Sequence, residues 1–366
     1  MTSIPERNSL VNQTVLCVQD GIAKGKWIEW LPAERILCED LQISRSTLRR
    51  ALIELRRKGV IKAVYGVGNR IEKIEIGKAS SKVAHDVALL TPAPLDRLRP
   101  AQTLWIDELR AILSERGIQL HIINGQQYFR PRPKASLDRL VKQRPHACWI
   151  LLLATVSCQE WFAKSGVPCL IAGSCHTGIN LPFCDLDHRS ACRHAAGILL
   201  KLGHRRLAFF NQKLPLAGDI ESEQGFFEGV NNSNHPEAIV TSIGHDATSL
   251  GIIQSLKKIM FSAHRPTALL VTNPLHYLAV VSGLSYLGLR VPSDVSVISR
   301  DDDAFLWFYT PEPSRYVVSS RAYARSLVHA LIEIIEGSSA PIEGSKIIPK
   351  FIRGSTIGPA TLRDKN

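Results

Sequence analysis

Leu31-Pro-Ala-Glu-Arg-Ile-Leu-Cys-Glu-Asp-Leu-Gln-Ile-Ser-Arg-Ser-Thr-Leu-Arg-Arg-Ala-Leu-Ile-Glu-Leu-Arg-Arg-Lys-Gly-Val-Ile-Lys62 decides how the first part of the chain folds. Pro32 suits the opening turn of a helix, where a missing N–H is no loss, so a helix is expected over Ala33–Leu41 with Ile36, Leu37 and Leu41 buried. Gln42 and Ile43 form a turn. Ser44 then stands where a hydroxyl can accept a free N–H of the next helix. There Leu48, Ala51, Leu52 and Leu55 recur at i, i+3, i+4 and i+7 as one apolar stripe. Arg45, Ser46, Thr47, Arg49 and Arg50 occupy the first turns and project largely away from it.

Before this stretch, a further helix is expected from Leu10 to Ala23, with Leu10, Val11, Val15, Val18 and Ile22 as its apolar contacts. On the other side Gly59 ends the basic helix. Val60–Val64 then leads to Tyr65-Gly-Val-Gly-Asn69, a glycine turn between two short strands, with Lys62 and Arg70 nearby. Three helices and a hairpin make a winged helix-turn-helix, placed between about Leu10 and Ile74. In such a unit the basic first turns enter the major groove of double-stranded DNA. Arginine bonds guanine bidentately there, while Ser and Thr reach phosphates or base edges. Arg35 is placed to meet a backbone phosphate. Gly66, Gly68 and Arg70 belong to the wing.

Charge supports this placement. Residues 1–82 carry 15 Lys and Arg against 9 Asp and Glu, whereas the other 284 residues carry 30 against 24. The net positive density is concentrated where a polyanion would bind.

The same stretch resembles the GntR family of bacterial regulators. The matching residues are Leu31, Pro32, Glu34, Arg35, Ser44, Arg45, Thr47, Arg49, Ala51, Leu52, Gly59, Ile61, Gly66 and Gly68. The resemblance implies that Arg35, Arg45, Thr47, Arg49 and the wing touch DNA. Ala33 departs from it: the family's serine caps the second helix there, so a cap worth roughly 1 kcal/mol is missing.

At 366 residues the chain is long enough for two or three domains with ordinary cores. No apolar run approaches the ~20 residues of a membrane helix, and no basic-then-apolar leader opens the sequence, so a cytoplasmic, membrane-free protein is expected. The eight cysteines lie mostly in apolar segments without a Cys-x-x-Cys and read as free thiols. Gly77-Lys-Ala-Ser-Ser-Lys82 has the composition of a linker.

From Val83 onward short apolar runs alternate with amphipathic segments. Strands are expected at Val87–Thr91, Gln119–Asn124, Cys148–Ala154, Cys169–Ala172, Leu207–Asn211, Ala238–Ile243, Ala268–Thr272 and Val295–Ser299. Helices are expected at Leu104–Arg116, Ser157–Lys164, Ser190–Leu202, Ser249–Phe261 and Leu275–Leu287. This alternation means parallel α/β with helices on both sheet faces.

A second resemblance lies in this part. Asp187-His-Arg-Ser-Ala191, Gly203-His-Arg-Arg206, Pro266-Thr-Ala-Leu-Leu-Val-Thr-Asn273, Val291-Pro-Ser-Asp-Val-Ser296 and Pro349-Lys-Phe-Ile-Arg-Gly-Ser-Thr356 resemble the LacI/GalR regulators and sugar-binding periplasmic proteins. The fold implied is a periplasmic-binding-protein-like α/β body of two lobes with a ligand cleft between them. The first lobe would comprise about 83–184 and 304–320, and the second about 185–303 and 321–356. Crossings would fall near Cys184–Asp187, near Asp301–Ser314 and at the C-terminal strand.

Clefts of open α/β sheets lie at the carboxyl ends of strands. Thr91, Pro92, Asn273 and Asp301 are therefore candidate contacts, with Trp307 as an apolar wall. Ser222 stands where the resemblance implies an arginine clamp, and Pro274 where it implies an aspartate. The cleft then has three readings: a small molecule other than a sugar, a sugar held by rearranged groups, or a degenerate body that serves only dimerisation. Asp301–Asp303 is read as a solvated acidic loop rather than a metal site. His176, His188, His194 and His204 lack metal-ligand spacing.

The expected function is a DNA-binding transcriptional regulator, by default a repressor, acting as a homodimer under control of a small-molecule effector. No cofactor is expected. A GntR-type enzyme with a pyridoxal body is the competing class, but nothing after Val83 resembles that body.

Overall fold

In the computed structural model the described residues are 10–23, 27, 29–41, 43–57, 59–64, 67–71, 86–337 and 344–360. Two compact units divide the chain, 1–82 and 83–366. The expected linker at Gly77–Lys82 lies outside the described residues, as do Tyr65, Gly66 and Gln42 of the first unit.

The first unit contains α1 (Leu10–Ala23), α2 (Glu34–Leu41) and α3 (Arg45–Arg57), then β1 (Ile61–Val64) and β2 (Gly68–Ile71). The two strands are antiparallel, from Ile61 opposite Ile71 to Val64 opposite Gly68. The stripe on α3 is buried throughout, and it packs with Val15, Val18, Leu37, Val60, Ile61 and Ile71. Ile36 was expected inside but is 43% exposed. Leu37 and Leu41 face the core, and Ile36 is turned a helical step off that face. One pairing was not foreseen: Leu31 N–H donates to Asn69 O at 3.0 Å and Ile71 N–H to Glu29 O at 2.9 Å. The segment before α2 thus extends the hairpin. Arg56 donates to the buried Asn69 Oδ1 at 2.7 Å, tying the end of α3 to the wing.

The second unit holds two six-stranded sheets. The first contains β3 (Val87–Thr91), β4 (Leu120–Asn124), β5 (Cys148–Leu152), β6 (Cys169–Ala172), β7 (Phe183–Leu186) and β13 (Ser345–Ile347), in the order β13-β7-β6-β5-β3-β4. All its neighbours are parallel. Helices α4 (Pro100–Glu115) and α11 (Ser320–Ile335) cover one face, burying Trp105, Ile106, Leu109, Leu327 and Leu331 against Val87 and Leu89. Helices α5 (Lys134–Gln143) and α6 (Val156–Ser165) cover the other, where Leu137 and Phe162 meet Ala88 and Leu90. Apolar residues fill both faces of β3, as a strand sandwiched between helices requires.

The second sheet contains β8 (Arg206–Gln212), β9 (Ile239–His245), β10 (Ala268–Val271), β11 (Ser296–Ser299), β12 (Ser314–Val317) and β14 (Lys350–Ile352), in the order β14-β12-β11-β10-β8-β9. Only β14 runs antiparallel to its neighbour. Helices α7 (His188–Lys201) and α8 (Ala217–Asn231) pack on one face, and α9 (Ser249–Met260) and α10 (Pro274–Tyr286) on the other.

The expected lobe boundaries need correction. Ser314 pairs with Ile298, so β12 belongs to the second lobe rather than the first. Helix α11 belongs to the first lobe, because Leu327 and Leu331 are buried against Trp105 and Ile106 there. The chain passes to the second lobe at Asp187, returns at 318–319 after β12, and passes again at 348–349. The expected return near Asp301–Ser314 is therefore too early. Strands β7, β12, β13 and β14 are only three or four residues long, which left no periodicity to read.

Candidate functional sites

In the first unit Ser44 caps α3: its Oγ accepts Thr47 N–H at 3.2 Å and lies 2.9 Å from the hydroxyls of Ser46 and Thr47. The cap fixes the first turn, from which Arg45, Ser46, Arg49 and Arg50 project exposed while Thr47 is half-buried. Arg49 Nε bonds Glu34 Oε2 at 3.0 Å, Arg35 reaches Glu39 at 3.3 Å, and Arg70 lies 3.6 Å from Glu29. These exposed pairs are individually weak. Gly68 sits at φ +144° in the wing, a backbone conformation that favours glycine, and Lys62 is directly opposite Arg70. Gly66 lies outside the described residues.

The second unit contains a cavity of about 420 Å³ walled by both lobes. The first lobe contributes Arg99, Gln102, Trp105, Leu152, Ser174 and Asp185, and the second Asp219, Arg300, Asp301, Asp303, Trp307 and Tyr316. Leu153 lines it with φ +55°, a strained conformation for a side chain at the end of β5.

Arg300 is the hub. Its Nε and Nη2 donate to Asp301 Oδ1 and Oδ2, each at 3.0 Å, and its Nη1 to Asp219 Oδ1 at 2.7 Å and Ser222 Oγ at 3.0 Å. All four residues are buried. Burial alone would push the Asp301 carboxyl up, but Arg300 and Arg99 hold it well below the usual carboxylate range. Across the cleft, Arg99 Nη1 reaches Asp301 Oδ2 at 3.2 Å, and Ala101 N–H reaches Asp303 Oδ1 at 3.3 Å. Lys346 and Glu221 form a third inter-lobe pair at 2.8 Å. Asp185 accepts from Ser174 Oγ at 2.7 Å and lies 3.3 Å from His188, which offsets its burial and keeps its carboxyl low.

Of the residues expected at the cleft, Asp301 and Trp307 line the cavity, and Ser222 meets Arg300 just behind it. Thr91, Pro92 and Asn273 are not in the lining. The Thr91 hydroxyl donates to Ala93 O at 2.6 Å, while Asn273 Oδ1 accepts Leu275 N–H and so caps α10. The acidic loop is not solvated as expected: Asp301 is 7% exposed and Asp303 1%. Arg300 was missed because its second carboxylate partner, Asp219, lies 81 residues earlier in the chain. Arg99 was missed because α4 begins at Pro100, four residues before the expected start. Five of the eight free cysteines are buried, and burial pushes Cys158 and Cys169 up to about 12, outside the reactive range.

Residues 28–71 match the family model described as bacterial regulatory proteins of the gntR family, and residues 196–357 that of the periplasmic binding protein-like domain. Catabolite control protein A of Priestia megaterium is 24% identical over 269 residues, covering 70% of this chain and 76% of that protein. The arabinose metabolism transcriptional repressor of Geobacillus stearothermophilus is 22% identical over 290 residues, covering 76% and 77%. Among solved structures, a putative transcriptional regulator LacI from Bacillus cereus subsp. cytotoxis superposes with a TM-score of 0.66 at 20% identity, covering 75% of this chain and 98% of its own. The chain is a DNA-binding transcriptional regulator of composite build, a gntR-type winged helix-turn-helix joined to a LacI-like, periplasmic-binding-protein-like body.

Proposed function

We propose that this regulator is a cytoplasmic, non-enzymatic repressor that reads an operator as a homodimer and answers to a small molecule held between its lobes. The observation that carries the reading is the cleft, a cavity whose two walls are joined by Arg99–Asp301 and Ala101–Asp303. A ligand that fits one separation of the lobes better than another shifts their equilibrium by its differential affinity. Paired first units then present Arg45, Ser46, Thr47, Arg49 and Arg50 to half-sites about one helical turn apart. Arg35, Ser44 and the wing residues Gly66, Gly68 and Arg70 hold the phosphates. Asp301 and Trp307, with Arg300 and Arg99, form the ligand side.

A second reading has one observation in its favour. Both oxygens of Asp301 are already bonded by arginines, which suits a body that serves only dimerisation.

Selection of bound duplexes from a random DNA pool tests the first half of the proposal. A two-fold-related motif lost in Arg45→Ala is expected, and recovery of no motif overturns it. A thermal-shift screen of metabolites on the full chain tests the second half, because a specific ligand raises the melting temperature by linkage.

A further inference from the structure

Five carboxylates line the cleft, and four are already partnered. Asp301 is held by Arg300 and Arg99, Asp219 by Arg300 and Leu216 N–H, Asp185 by Ser174 and His188, and Asp302 by Arg315 and the Trp307 indole. Asp303 differs. Its Oδ1 accepts from Ala304 N–H at 2.8 Å and Ala101 N–H at 3.3 Å, but Oδ2 is buried and has no hydrogen-bond partner among the described residues. The residue is 1% exposed and none of its bonds comes from an arginine or lysine side chain. A carboxylate oxygen in that setting is costly until a donor reaches it.

We infer that the cleft takes a small organic cation, an amine whose ammonium pairs with the Asp303 carboxylate and whose apolar body packs against Trp105, Leu152 and Trp307. The inference rests on the cleft being the effector site. A polyhydroxylated ligand needs several open polar groups, and those of Asp301, Asp219 and Asp185 are committed. An anion would have to win Arg300 and Arg99 from carboxylates that already hold them. The remaining wall is apolar, with Trp105 edge-to-face on Tyr323 at 5.3 Å between ring centroids, a surface for a hydrocarbon or aromatic body. Burial pushes the Asp303 carboxyl up, and a bound ammonium would bring it back down.

Calorimetric titration of the full-length protein with 2-phenylethylamine, 2-phenylethanol, 3-phenylpropionate and arabinose tests the assignment. The amine is expected to bind about tenfold or more tightly than the alcohol, since an ion-to-ion hydrogen bond is the stronger, with the acid and sugar silent. Asp303→Asn should cost the amine about tenfold. The parent comparison of amine with alcohol stands even if that variant fails to fold. Equal binding of the alcohol, preference for the acid or sugar, or unchanged amine binding by a folded Asp303→Asn overturns the cation assignment. If a non-cation binds instead, the cleft remains a ligand site. If none of the four probes and no metabolite in the thermal-shift screen binds, the effector reading falls as well.

Discussion

Arg99 and Asp301 are 202 residues apart in the chain and join the two lobes through a 3.2 Å bond between Nη1 and Oδ2. Asp301 is also held by Arg300, so the carboxylate stays paired when Arg99 lets go. One side of the contact is permanent and the other is releasable. That asymmetry makes Arg99 the side chain through which opening and closing can be felt.

Arg300 also holds the carboxylates of the cleft wall in place. Replacing it by Met leaves Asp301 and Asp219 buried without their cation, a change expected to cost about 3–5 kcal/mol at pH 7 by chemical denaturation. The sign of its pH dependence follows from the carboxylates. In the parent, Asp301 is held below its unfolded value of about 3.9, so its contribution is complete above that value and fades as pH falls through the folded one. In Arg300→Met the buried carboxyls take up protons at higher pH, which relieves the variant first. The gap between the two proteins should narrow from pH 7 to pH 4, and a constant gap would count against the network.

Acid should also weaken the parent through buried histidines. Burial, with His245 alongside, lowers His276 from 6.5 to about 4, and burial likewise lowers His204 and His245. The unfolded chain therefore binds these protons first. Stability is complete above pH 6.5 and is lost as pH falls toward 4. The melting temperature should drop between pH 7 and pH 5, and His276→Leu should flatten the slope. An identical slope in that variant would exclude His276 as a contributor.

Helix α2 lacks a side-chain acceptor at Ala33, although Leu37 N–H already bonds Ala33 O at 3.1 Å. Ala33→Ser supplies the hydroxyl and should stabilise the helix by about 1 kcal/mol. Slower hydrogen exchange of the first α2 amides is the expected reading, and unchanged exchange would show that the site cannot accommodate the cap.

On DNA, Arg45→Ala and Arg49→Ala should each cost roughly 1–3 kcal/mol of specific binding. Arg57→Ala, at the far end of the same helix and paired with Glu54, should leave sequence preference unchanged. Wild-type affinity in both of the first two variants would displace α3 from the groove.

The first unit was legible because its signals are local. A capping serine, a stripe of four leucine and alanine positions and a glycine turn each fix their own surroundings, and Leu48, Ala51, Leu52 and Leu55 are all buried. Asp301 was legible from its place after a strand together with the family resemblance, and Trp307 as an apolar neighbour in the same loop. Thr91, Pro92 and Asn273, read by the same rule, do not line the cavity. Arg99, Arg300 and Asp303 were not legible, because their roles depend on a meeting of residues some 80 to 200 positions apart. The same limit misplaced α11, whose partners in α4 lie more than 200 residues earlier.

If the cleft acts as proposed, its state sets operator affinity. This coupling is tested most directly by fluorescence anisotropy with the selected duplex, comparing the parent with Arg99→Ala without added ligand. A shift in Kd of about fivefold or more is expected, the lower end of typical coupling between sites. Identical Kd values for two equally folded proteins would contradict it.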